Sequence, residues 1–271
     1  MPKTERDRRT DRSLNNSQLA LLKVVFFKQL KIELRYIVNT ISQFATIYIF
    51  FAIIFFGGQA VAGAALSESL GGIIVGFFLF TLAISAYSGI AYNVTEESQW
   101  GTLERLYMSP HGFGKVMIVK SAVNVSLTFL WALILLVLMM LTAGRWLSVD
   151  LVTVVPLTVL ALGSVLGLGF VFAGIALLYK RLENLIQLVQ FGFVGLIGAP
   201  VDAYPWLKLL PLTHGSALLQ RAMNHNVALW ELPRSELGLL VVSSTLYFAA
   251  GYYCFHYCLD RARERGVMAH Y

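Results

Sequence analysis

The side chains with the clearest capacity for chemistry are concentrated between residues 95 and 119. Three carboxylates stand close together there, those of Glu96, Glu97 and Glu104. Acidic side chains are stabilised at the start of a helix by its dipole, and Ser or Thr is a preferred N-cap residue. This stretch therefore predicts a short helix over 96–107, capped by Thr95 or Ser98 and ended by Pro110.

One face of this predicted helix is apolar. Its members are Trp100, Leu103, Leu106 and Tyr107. A loop that is free in water does not need such a stripe, so we expect a partner surface to receive it. The alternative is a solvated loop that carries a few charges.

The sequence lacks the residues that hydrolyse nucleotides. A phosphate-binding loop needs glycines at a fixed spacing and a Ser or Thr after its Lys, and Gly114-Lys115-Val116 meets neither condition. Patterns for a serine nucleophile and the HExxH zinc motif are also missing. We therefore expect no catalytic residue, metal site or cofactor in this chain. If the protein moves a substrate, the free energy has to come from a separate subunit.

The composition indicates an environment of lipid. Hydrophobic residues make up 57% of the 271 residues and charged residues 13%, whereas soluble domains carry roughly 25% charged residues. Six windows free of charge approach or exceed the length of about 20 residues that a helical span needs. Hydrocarbon offers the backbone no other partner, so these windows must be helical. The predicted spans are about 37–56, 73–92, 122–141, 152–178, 185–199 and 237–259.

Lys and Arg fall mainly on one side of these spans. The N-terminal segment, the loops after the second and fourth spans and the C-terminal tail carry 17 of them. The opposite side has only Arg145, Lys208, Arg221 and Arg234. Cytoplasmic loops retain positive charge, so with six spans we expect both termini in the cytoplasm. The net charge of +6 then reflects topology and anionic lipid, and no nucleic-acid partner is needed to explain it.

Three further segments complete the expected organisation. Residues 1–17 predict a basic, disordered arm, and residues 18–35 an amphipathic helix in the cytoplasmic interface, with an extension of the first span as the alternative. The fifth span covers roughly 22 Å against a hydrocarbon core of roughly 30 Å, so we expect it to stop inside the membrane. Residues 200–232 are apolar but broken by Pro and Gly. They predict short helices that dip into the outer leaflet, with a plain extracellular loop as the alternative.

The acidic stretch also carries a resemblance to a known family. It reads Glu97-(x)3-Gly101-Thr102-Leu103-Glu104-(x)-Leu106-(x)2-Ser109-Pro110. This resembles the signature of type-2 ATP-binding-cassette (ABC) transporter permeases, the export group that includes drug and antibiotic exporters. The order of elements is similar over residues 18–271, which we expect to form one transmembrane domain.

Two shorter matches support the resemblance. Pro211-Leu212-Thr213-His214, followed by Arg221, resembles the family's segment after the fifth span. The basic tail that begins at Arg261 resembles the end of its members.

The resemblance implies a homodimer or pseudo-dimer of six-span subunits in the cytoplasmic (inner) membrane of a prokaryote. Each subunit would dock on a cytoplasmic ATPase subunit, which would hold ATP and Mg. The segment 96–107 would be the coupling helix that enters a cleft on the ATPase. The implied coupling residues are Glu96, Glu97, Trp100, Gly101, Thr102, Leu103, Glu104, Leu106 and Tyr107.

The resemblance also implies a path for the substrate, lined by the second and fifth spans where they face the dimer axis. The candidates on these spans are Gly71, Gly72, Gly76, Asn93, Gln187, Gln190 and Gly192, and those after the fifth span are Pro211, Thr213 and His214. Close helix packing is the alternative role of the glycines.

The function implied is export of a hydrophobic drug, antibiotic or lipid-like molecule from the cytoplasm or the inner leaflet. A polysaccharide or lipid-linked glycan is the second substrate class, and ion extrusion the third. A membrane-embedded enzyme or scaffold is the alternative from another class, and it predicts polar residues clustered at one depth, which the sequence does not reveal. A stand-alone carrier predicts charge inside the spans, and the proposed spans have none.

Overall fold

The computed structural model describes residues 21–62, 70–99, 108, 112–179 and 183–264. Of these residues 88% are helical and none forms a strand, which confirms the all-α class. Eight α-helices occur in the described part of the chain. They are α1 (21–35), α2 (Ile37–Ala62), α3 (Leu70–Gln99), α4 (Phe113–Ala143), α5 (Leu151–Leu178), α6 (Glu183–Ile197), α7 (Thr213–His225) and α8 (Arg234–Glu264). The arm expected over 1–17 lies outside the described residues.

Five helices, α2, α3, α4, α5 and α8, are long and apolar enough to cross a membrane. Each contains the span predicted for it and continues beyond it at one or both ends. The sixth candidate, α6, has 15 residues and is therefore about 22 Å long. It ends at Ile197, two residues before the predicted end of the fifth span. The chain is a multi-pass helical protein built for a membrane.

The contacts between helices fix their directions. Lys120 near the start of α4 pairs with Glu97 near the end of α3, and Thr128 further along α4 bonds Ser85 further back in α3, so these two helices are antiparallel. Gly163 of α5 faces Ser244 of α8, and Gly174 of α5 faces Cys258 of α8. Positions therefore advance together along α5 and α8, which run in the same direction. The chain between them must therefore lead back from the end of α5 to the level at which α8 begins, and α6 lies in that connection.

The α5–α8 pair is packed through its backbone. A Cβ atom added to Gly251 would lie 2.0 Å from the carbonyl oxygen of Gly167, and one added to Gly167 would lie 2.2 Å from the carbonyl oxygen of Tyr247. Only hydrogen fits at either glycine. Such contacts are the membrane equivalent of core packing, since lipid gives helices no hydrophobic reason to associate.

The segment after α6 folds back deep into the helix bundle. The N–H of Leu212 donates to the Ser164 hydroxyl at 3.0 Å, and Ser164 lies about 20 Å along α5 from Leu151. The Ser216 hydroxyl in turn donates to the last carbonyl of α6, that of Ile197, at 2.9 Å. The Ile197 carbonyl also accepts from the Gln220 amide at 3.3 Å, so this buried helix end and the Leu212 N–H are both satisfied by side chains. The short helices expected within 200–232 are therefore present as α7 and the 3₁₀ turns Pro205–Leu209 and Leu229–Glu231.

The predicted start of the helix over 96–107 is wrong. α3 continues without a break to Gln99, and the Thr95 hydroxyl donates to the Ala91 carbonyl at 3.0 Å inside that helix, so it caps nothing. Residues 70–94 contain no proline, and a helix already formed propagates through a local cap signal. Residues 100–107 lie outside the described part of the chain.

Candidate functional site

The C-terminal end of α3 and the N-terminal part of α4 are joined by a buried ion pair. The Lys120 ammonium donates to the Glu97 carboxylate, and both side chains are largely removed from solvent. Glu97 is one of the residues implied for coupling to an ATPase, and its carboxylate joins two helices of its own chain. Glu96, one residue earlier, is exposed. The junction therefore holds the ends of the connecting segment at a fixed separation.

The remaining residues assigned to coupling lie outside the described part of the chain. They are Trp100, Gly101, Thr102, Leu103, Glu104, Leu106 and Tyr107. Their role in docking stays a prediction.

An apolar cavity of about 400 Å³ lies between α2, α3, α6 and α7. Gly72 and Gly76 of α3 form part of its wall, and the amide side chains of Gln220 and Asn224 on α7 supply polar groups. Phe50 of α2 contributes an aromatic face. The cavity therefore lies where α3 and α6 meet, and of the residues predicted for the path only Gly72 and Gly76 line it.

The three glycines near the start of α3 also serve close packing. A Cβ atom at Gly71 would lie 2.0 Å from Asn224 Oδ1, one at Gly72 3.2 Å from Gln220 Oε1, and one at Gly76 3.2 Å from the Ile197 side chain. These glycines therefore have the alternative role expected of them, close helix packing. Gly72 and Gly76 also line the cavity.

The polar residues predicted for the path do not line the apolar cavity. Asn93 is half-buried towards the other end of α3, where its amide donates to the Gly89 carbonyl at 2.5 Å. On α6, Gln187 is exposed and Gln190 half-buried, and Gly192 has open space beside it. These four residues stand outside the wall of the apolar cavity.

Pro211, Thr213 and His214 form the buried turn that begins α7. The Thr213 hydroxyl donates to the Pro211 carbonyl at 3.2 Å, and His214 Nε2 lies 2.9 Å from the Glu236 carbonyl oxygen at the start of α8. Leu212 between them has a left-handed backbone, φ 69°, which is costly for a residue with a β-carbon. These residues anchor the folded-back segment and do not line the apolar cavity.

Charged side chains lock the same segment to α8. Arg221 of α7 pairs with Glu236 at 3.0 Å and with Asp202 at 2.7 Å, and Lys208 pairs with Glu236 at 3.3 Å. Three of the four basic residues assigned to the non-cytoplasmic side, Lys208, Arg221 and Arg234, thus lie in or next to this segment. Glu236 is the shared acceptor that ties it to α8.

Sequence reasoning missed a polar cavity of about 310 Å³ between α1, α2, α3 and α4. Ser85 lies in its wall, bonded to Thr128 at 2.7 Å and to the Asn124 amide at 2.9 Å. Glu33 of α1 accepts a hydrogen bond from Trp131 Nε1 at 3.3 Å. A membrane-embedded enzyme or scaffold predicts such a cluster of polar residues at one depth. The argument from the sequence against that class therefore no longer holds.

Burial raises the pKa of the Glu33 carboxyl above its ordinary value, and the Trp131 hydrogen bond partly opposes that rise. The signal that could have revealed the site is the periodic placement of Asn39, Thr40 and Gln43 in an otherwise apolar span.

Among the described residues, no three His, Cys, Asp or Glu side chains come together in an arrangement that could hold a metal ion. Comparison of the chain with protein-family models and with curated proteins finds no match.

Proposed function

We propose that the chain is the permease subunit of an ATP-driven exporter of the type-2 ABC class, powered by a separate ATPase. The observation that carries the proposal is the position of the acidic motif. It occupies the connection between two antiparallel helices, α3 and α4, whose ends are joined by the Glu97–Lys120 ion pair. Force applied to that connection would be transmitted to both helices as one unit.

The apolar cavity supports the same function. It adjoins the second and fifth spans and offers a volume of the size that a small apolar molecule occupies. A hydrophobic drug, antibiotic or lipid-like molecule suits this wall better than a polysaccharide, which would need many hydrogen-bonding groups.

We also propose six crossings, with α6 and its folded-back continuation as the fifth. The parallel course of α5 and α8 requires a return between them, and the internal bonds of Leu212 and Ile197 allow irregular backbone at depth. The distribution of Lys and Arg favours cytoplasmic termini, α1 in the cytoplasmic interface and residence in a prokaryotic inner membrane.

A homodimer is part of the proposal. Large apolar side chains project outward from α2 and α6, among them Ile49, Ile53, Leu188 and Phe191. These faces are suited to lipid and to a second copy of the chain.

The test begins with the tagged chain isolated from its own membranes. We expect it to hydrolyse no ATP by itself and to copurify with an ATPase that carries a phosphate-binding loop. Glu104→Lys and Gly101→Val should reduce copurification and transport while abundance in the membrane holds. A partly buried interfacial charge typically contributes about 2–5 kcal/mol, so reversal at Glu104 should weaken docking severely.

Glu97→Lys separates docking from internal structure. It breaks the ion pair with Lys120, so the variant should lose thermal stability without any ATPase present, and the exchange variant Glu97→Lys with Lys120→Glu should recover part of it. Asp150→Asn is the matched control, because Asp150 caps α5 from the opposite side and Asn caps as well as Asp. ATP turnover by the pure chain, or full docking and transport by Glu104→Lys, would refute the proposal.

A further inference from the structure

We propose that the polar cavity between α1, α2, α3 and α4 binds an amphipathic organic cation, with Glu33 as its counter-ion. The inference names a substrate class, and only the transport of the bound cation rests on the proposed function.

The charge around the cavity favours a positive ligand. Glu33 is the one carboxylate in its wall, and in the described part of the chain no Lys or Arg forms an ion pair with it. Lys28, Lys31 and Arg35, on the same helix, are exposed. The helix segments opposite carry no charge at all, and a carboxylate in such surroundings needs a cation or a proton.

The aromatic residues favour an organic cation over a metal ion. Phe44 and Trp131 stack with ring centroids 5.6 Å apart, and both line the cavity. Ring faces attract ammonium groups, especially where water is excluded. Trp131 thus combines an aromatic face with a hydrogen bond that orients the Glu33 carboxylate.

The opposite wall is polar but has no catalytic arrangement. The Ser85 hydroxyl is bonded to Thr128 and Asn124, neither of which is a base. Gln43 and Asn39 of α2 add amide groups. This wall can hydrogen-bond the polar part of a ligand, and the volume of about 310 Å³ suits one small molecule. The geometry is that of a binding site and not of an active site.

The test measures protection of a cysteine placed in the cavity. The full chain is reconstituted in lipid nanodiscs without ATPase, with Cys254→Ser, Cys258→Ser and Gln43→Cys. The rate of alkylation at position 43 is then followed with increasing benzyltrimethylammonium. Its neutral carbon isostere, 2,2-dimethylpropylbenzene, has the same shape without the charge and serves as the matched ligand.

We expect the ammonium ion to slow alkylation and the isostere to have little effect. Glu33→Gln should raise the concentration for half protection about tenfold or more, whereas Glu33→Asp should retain part of the affinity because the charge remains. Glu264→Gln, which removes an exposed carboxylate at the end of α8, should change nothing. Unchanged elution of each variant on size exclusion shows that it is folded.

Equal protection by both ligands, no protection by either, or full protection in Glu33→Gln would overturn the inference. Because no ATPase is present, these results do not depend on the proposed function. If the ammonium ion protects position 43 but no ATPase copurifies, the cation site is supported and the exporter function is refuted. If an ATPase copurifies but the ammonium ion does not protect, the exporter function is supported and the cation site is refuted.

Discussion

The α5–α8 pair and the region around α2 are held together in different ways. Gly167 and Gly251 bring two backbones into direct contact, so that neither helix can shift without a clash. α2 is joined to its neighbours by ring contacts, such as Phe44 on Trp131 and Phe51 on Phe77, and it borders both cavities. The difference separates a rigid scaffold from a region that has space for a ligand and for movement.

The largest effect is expected where backbones touch. Gly251→Leu places a side chain into Gly167 and should lower the free energy of unfolding by about 3 kcal/mol or more, because the obstacle is backbone and cannot rotate away. Gly238→Leu in the same helix meets open space and should have little effect. The melting temperature in detergent measures both. Similar values for the two variants would show that the glycine crossing is not a rigid contact.

An intermediate effect is expected at the bond that holds the folded-back segment to the scaffold. Ser164→Ala removes the acceptor of the Leu212 N–H and should cost about 1–3 kcal/mol, the usual penalty for a buried group left without a partner. Ser126→Ala is the control, since its exposed hydroxyl bonds only to the Ala122 carbonyl of its own helix. Thermal melting should separate them, and a wild-type melting temperature for Ser164→Ala would mean that another group takes over the bond.

The smallest effect on stability is expected beside the apolar cavity. A Cβ atom at Gly72 approaches only the end of the flexible Gln220 side chain, at 3.2 Å, so Gly72→Ala should change the free energy of unfolding by less than about 1 kcal/mol. Gly167→Ala, which meets the Tyr247 carbonyl, is the matched substitution in the scaffold. If both variants lose the same stability, the two regions do not differ in rigidity.

Much of the fold could be predicted from the sequence. Windows free of charged residues predicted all five long helices. Moving a charged side chain from water into hydrocarbon is costly, so membrane-spanning segments are recognisable in the sequence by their lack of charge. The length of the fifth window predicted that α6 would be short, and Pro and Gly predicted the broken segment after it. α6 ends at Ile197, two residues before the predicted end of the fifth span. Helix ends depend on which groups satisfy the last carbonyls, and here the Ser216 hydroxyl bonds to the last one.

The sequence alone therefore determined that the chain is helical, apolar and divided into spans, because those properties follow from local composition. It did not determine which side chains meet. The motif around Glu97 predicts an outward-facing carboxylate, whereas the fold places Lys120, 23 residues later, beside it. Glu33 and Trp131 are separated by 98 residues, and they face one polar cavity with Ser85 only because four helices pack around it. Periodicity within one helix carries no information about the rotation of its neighbours, so packing alone decided where the polar groups gather.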